Sequence, residues 1–137
     1  MGLTEDAHVP PQVVAVLNTS PDTVELLRIA LQHAGLTVVS GYIHDVRDGR
    51  LDLEAFVRQH EPKAIVWDIS PPYDVQWQFL EHIRQRPACA ECRFVVTTTN
   101  VQQLRKVAGT DQELHEIIGK PYDLEHIVGA VRNAMRA

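Results

Sequence analysis

The sequence predicts a single α/β domain built on a mostly parallel sheet. Two observations carry that reading. Ala64-Ile65-Val66-Trp67-Asp68 is an apolar run without alternation, as expected of a strand buried on both faces of a parallel sheet. Segments with helical periodicity also lie between successive apolar runs, which implies right-handed crossovers between parallel strands. The length, 137 residues, suits one domain with a substantial core.

The elements follow in order. Residues 1–11, mostly polar and ending in Pro10-Pro11, are expected to form a loose N-terminal arm, and 12–137 the domain. Val13 to Leu17 is the first strand. Ser20 can cap a helix that starts at Pro21. Val24, Leu27 and Leu31 then recur on one helical face until Gly35 stops it. Leu36 to Ser40 reads as the second strand. Gly41 to Arg50 is mostly polar and is expected to be irregular, with a turn at Asp48-Gly49. Leu53, Phe56 and Val57 mark the next helix, which ends before Pro62. The third strand runs to Asp68, and Pro71-Pro72 forces a loop. Trp77, Leu80 and Ile83 mark a helix, Phe94 to Thr98 a fourth strand, and Val101, Leu104 and Val107 a short helix closed by Gly109. Ile117 and Ile118 form the fifth strand. Asp123 can cap the last helix, whose apolar stripe is Leu124, Ile127, Val128, Val131 and Met135.

In open α/β sheets ligands sit beyond the carboxyl ends of the strands. Asp68 occupies such a position. So do the hydroxyls that end Val95-Val96-Thr97-Thr98-Thr99, and Lys120 after Ile117-Ile118-Gly119. An acid, a hydroxyl and an ammonium at three strand ends form a constellation suited to phosphoryl groups. The alternative is a structural ion pair of Asp68 with Lys120, Thr98 being an ordinary strand residue.

These residues, in this order, resemble response-regulator receiver domains over about residues 12–136. Asp68 with Pro72 matches the family's phospho-acceptor aspartate and the proline four residues on. Thr98 matches its strand-four hydroxyl, and Lys120-Pro121 its strand-five lysine and following proline, a bond usually cis in the family. Pro21-Asp22-Thr23-Val24-Glu25-Leu26-Leu27 resembles its first helix. The resemblance implies a flavodoxin-like, doubly wound, five-stranded parallel sheet of order 2-1-3-4-5. It also implies that Asp68 accepts a phosphoryl group that Thr98 and Lys120 contact, and that the backbone carbonyl of Ser70 faces the metal position.

The sequence departs from the family pattern after the first strand, where two acids normally hold Mg²⁺. Asn18 and Thr19 are assigned to those places. Mg²⁺ favours carboxylates and waters in an octahedral shell. The metal pocket Asn18, Thr19, Ser70 is therefore read as degenerate: no cofactor is required, and any Mg²⁺ is expected to bind weakly. The family's switch aromatic is Ile117 here, and its acid-glycine pair before the third helix is Val75-Gln76. The stretch Gly41 to Leu51 is longer than usual.

The remaining signals are weaker. Cys89-Ala90-Glu91-Cys92 is a CxxC, open to a redox or zinc reading, but without a second pair it reads first as core packing. The seven histidines form no close ligand pattern, and no glycine-rich nucleotide loop follows the first strand. The formal charge of −5 argues against nucleic-acid or membrane-surface partners, and no apolar stretch nears the roughly 20 residues needed to span a bilayer. The expectation is a stand-alone, cytoplasmic, non-enzymatic signalling domain whose partner is a histidine kinase or another signalling protein. It is either phosphorylated on Asp68 or a pseudo-receiver that only docks.

Overall fold

The computed structural model describes residues 12–109, 116–119 and 123–136. The expected arm at 1–11, Lys120 and the 120–121 peptide bond lie outside them. The elements run β1 (Val13–Asn18), α1 (Pro21–His33), β2 (Thr37–Tyr42), α2 (Ile43–Arg47), α3 (Leu53–His60), β3 (Ala64–Ile69), α4 (Tyr73–Arg84), a 3₁₀ turn (Pro87–Cys89), β4 (Arg93–Thr98), α5 (Val101–Ala108), β5 (Glu116–Gly119) and α6 (Leu124–Arg136). The strands form one parallel sheet in the order β2-β1-β3-β4-β5.

Local chemistry accounts for the helix starts. The Ser20 hydroxyl accepts from the Thr23 amide at 3.3 Å, and Pro21 opens α1 where its missing N–H costs nothing. Asp52 caps α3 through the Ala55 amide at 3.2 Å, and Asn100 caps α5 through the Gln103 amide at 3.0 Å. Asp123 accepts from the Glu125 amide at 2.9 Å ahead of α6. Past α1 the chain turns at Gly35, whose φ of +91° suits a residue without Cβ.

The central strands β1 and β3 are buried along their whole length, so their side chains alternate between two apolar layers. One layer packs Ala15, Leu17, Ile65, Trp67, Ile69, Phe94 and Val96 against α2–α5. The other packs Val14, Val16, Ala64, Val66, Val95 and Ile118 against α1 and α6. From α1 come Val24, Leu27 and Leu31; from α6 come Ile127, Ala130, Val131 and Ala134. Leu124, Val128 and Met135 pack at the edge of that layer.

Two expectations about elements need correction. Gly41 to Arg50 is not irregular: β2 extends through Tyr42, and α2 follows at once. Ile43 is buried and Val46 and Leu51 pack beside it, so a single apolar face anchors an otherwise polar turn. Arg50 closes it by donating to Asp45 Oδ1 at 2.9 Å and to Asp48 Oδ2 at 2.8 Å. A Cβ at Gly41 would stand 2.8 Å from Leu51 Cδ2, so any larger residue there obliges the Leu51 side chain to move. In α5, Leu104 is buried but Val107 is exposed, so the buried face of this helix is narrower than its apolar spacing predicts.

Candidate functional site

Three strand ends on the α1/α6 side of the sheet bring the polar groups together. Asp68 is the fifth of six residues in β3 and only 6% exposed. It pairs in register with Thr97 of β4. Paired residues in a parallel sheet project to the same face, and the buried Thr97 hydroxyl donates to Asp68 Oδ1 at 2.7 Å. A hydrogen bond to a charged group is worth about 1.5–3 kcal/mol, twice or more a neutral one.

The hydroxyl that reaches Asp68 is therefore that of Thr97, whereas the sequence points to Thr98. Thr98 pairs with Ile69 and falls on the opposite face. It is fully buried, and its Oγ1 accepts from the Asn100 amide at 3.4 Å. Strand alternation holds the signal that separates the two, but only once the register with β3 is known. Thr99, next in line, is exposed and joins the Tyr73 hydroxyl at 3.0 Å, linking the β4–α5 loop to the start of α4. The Pro71-Pro72 peptide just before α4 is cis. Ser70, half-buried, follows β3 directly.

On the β1 side the two assigned positions separate. Thr19 lies past the strand end and is exposed. Asn18 is the last residue of β1 and 1% exposed. The β1–β3 register pairs Leu17 with Trp67, so one step further Asn18 neighbours Asp68 on the same face. Asn18 Oδ1 accepts from the Thr19 amide at 2.7 Å and from the Ser20 amide at 3.1 Å. Backbone amides only donate, so the carboxamide has its oxygen there and its Nδ2 on the other side. That Nδ2 is buried and has no hydrogen-bond partner among the described residues. An unsatisfied buried donor costs about 1–3 kcal/mol, and such groups are uncommon enough to require a reason.

Asn18 offers a magnesium ion no free oxygen. A hard cation takes oxygen ligands; the Asn18 oxygen is already engaged and its nitrogen carries protons. Among the described residues no group of three His, Cys, Asp or Glu side chains could hold a metal. Ile117, expected from the sequence at the switch position, is half-buried on the α2–α5 face beside Val96.

The CxxC lies away from this site. Cys89 is buried in the core and Cys92 is half-buried, its thiol donating to the Pro62 carbonyl at 3.4 Å. Burial pushes both thiols up, that of Cys92 to about 12, with the neighbouring Cys89 and Glu91 adding to the effect. The thiolate that zinc binding or redox chemistry needs is thus disfavoured. No helix among the described residues is long and apolar enough to cross a membrane.

The sheet order and the doubly wound layers are those of the CheY-like flavodoxin fold that response-regulator receiver domains share. Solved structures agree. A sensor protein from a Polaromonas species superimposes with a TM-score of 0.71 at 17% identity, over 93% of this chain and 98% of that one. A response regulator from Thermotoga maritima gives 0.69 at 17% identity, over 93% and 100%. A signal receiver domain of a two-component histidine kinase from Clostridium thermocellum gives 0.71 at 17% identity, over 92% and 98%. No family model matches the sequence, and no curated protein matches it.

Proposed function

We propose that this chain is a receiver-type signalling module in which Asp68 accepts a phosphoryl group from a phosphohistidine-bearing kinase or a small phosphodonor. The observation that carries this reading is a buried carboxylate at the carboxyl end of the central strand, already oriented by the Thr97 hydroxyl. In the reaction an Asp68 oxygen forms a bond to phosphorus as the N–P bond of the donor breaks. The released imidazole nitrogen takes up a proton, and Asp68 becomes an acyl phosphate. Lys120, one residue past β5, is the expected partner for a phosphate oxygen.

A second reading, a module that docks without being phosphorylated, is favoured by Asn18 in place of an acid. It is also favoured by Leu26 and Ile29, which are about half exposed beside Leu124 and Val128 in an apolar groove between α1 and α6. Intact-mass measurement after acetyl phosphate treatment separates the two. The expected result is one phosphoryl increment on the wild type and none on Asp68→Asn. An unmodified wild type, or an increment that survives Asp68→Asn, leaves the docking reading in place.

A further inference from the structure

We infer that Asn18 turns the β1 wall of the pocket into a hydrogen-bond donor, so that the site takes an oxyanion beside Asp68 without a divalent cation. The inference deepens the phospho-acceptor reading, and its covalent case rests on that reading.

The argument starts from the orientation of one carboxamide. The Thr19 and Ser20 amides hold the Asn18 oxygen. No rotation of the amide exchanges its two ends without setting a donor against two donors. Nδ2 is therefore held in place, buried and without a partner among the described residues, on the face that the β1–β3 register, carried one step past Leu17–Trp67, gives to Asn18 and Asp68 alike. Neighbouring parallel strands lie about 4.8 Å apart, so a group added to the Asp68 carboxylate falls within reach of a side chain on β1. A phosphoryl group on Asp68 would bring the acceptor oxygens that Nδ2 lacks. A cation at the same place would meet the N–H dipoles head-on. The polarity of this wall is thus inverted relative to one built from carboxylates: it stabilises negative charge directly and leaves no vacancy for Mg²⁺ to offset. Asn18 acts as a positioning residue for the anion, with Thr97 fixing the acceptor from the β4 side.

The test reads the Asn18 side-chain amide by NMR in two experiments. In the first, the wild type is treated with acetyl phosphate in EDTA and in Mg²⁺, and adduct formation is followed by intact mass. In the second, Asp68→Asn, which cannot form the adduct and lacks the opposing carboxylate charge, is titrated with inorganic phosphate in EDTA. The expected result is an adduct rate unchanged by Mg²⁺ and a downfield shift of the Asn18 Nδ2 protons in the phosphorylated wild type. The phosphate titration should move the same protons saturably. Placing Asn18→Asp in the Asp68→Asn background should weaken phosphate binding by about tenfold or more, the scale of one hydrogen bond to a charged acceptor. Asp keeps the oxygen that the two loop amides need, so the β1–α1 loop is preserved; should this variant fail to fold, the Asn18 shifts decide alone. An adduct that requires Mg²⁺, or Asn18 protons that stay fixed in both experiments, overturns the inference. A wild type that forms no adduct while phosphate still moves the Asn18 protons removes the phosphorylation reading and leaves the oxyanion site standing.

Discussion

The two walls of the pocket solve the same problem differently. On the β3/β4 side, a buried carboxylate meets a buried hydroxyl at 2.7 Å, so an acceptor with a large desolvation cost has a donor in place. On the β1 side, Asn18 satisfies two loop amides with its oxygen and leaves its own buried nitrogen without a partner. On the first wall both polar groups are partnered; on the second only the amide oxygen is. A buried polar group without a partner calls for an explanation, and the oxyanion proposed above is the one offered here for Asn18.

Substitutions can break or sharpen the contrast. Thr97→Val carries the largest expected effect: it leaves the Asp68 carboxylate without its hydroxyl donor and should destabilise the fold by about 1.5–3 kcal/mol at neutral pH. Thr97→Ser should restore most of that. Urea midpoints for the two variants measure it; equal midpoints would mean that Asp68 does not depend on this hydroxyl.

Asn18→Ala comes next. Losing the acceptor for the Thr19 and Ser20 amides costs about 0.5–1.5 kcal/mol for each bond. Removing an unsatisfied buried donor returns about 1–3 kcal/mol. The opposed terms predict a net change of only about 1 kcal/mol or less, smaller than that of Thr97→Val. A loss of the Thr97→Val size would show that the buried nitrogen is not a liability in the folded protein.

Thr98→Val should do least. The shape is conserved, the site lies on the apolar α2–α5 face, and only a 3.4 Å contact to the Asn100 amide is lost. Thermal unfolding should register about 0.5 kcal/mol or less in either direction. A large loss of adduct formation in this variant would return the phosphate-contacting role to Thr98.

How far the sequence was legible follows from the range of each signal. Strand and helix alternation is local, and the five strands, the Ser20 and Asp123 starts and the buried stripe Val24, Leu27, Leu31 can all be read from it. Asp68 is legible because an acid that ends an unbroken apolar strand stands out. The choice between Thr97 and Thr98 is not, because three threonines in a row present a hydroxyl to either face and only the β3–β4 register decides. Thr19 was expected in the pocket for the same reason: the last residue of β1 depends on where pairing stops. The helix α2 escaped notice because a single turn anchored by one buried isoleucine leaves no periodicity to count. The inverted Asn18 amide depends on loop geometry, which no spacing encodes.

Trp67 stands one residue before Asp68, and in a strand that single step is a change of side. Its indole is 1% exposed and packed beside Phe79 and Phe94, centroids 6.1 and 6.5 Å away, with the sheet itself between the ring and the pocket. The chain thus carries a fluorophore next to Asp68 in sequence yet optically screened from it. Its emission should be blue and steady while anions come and go, and should redden only when the α2–α5 layer comes apart.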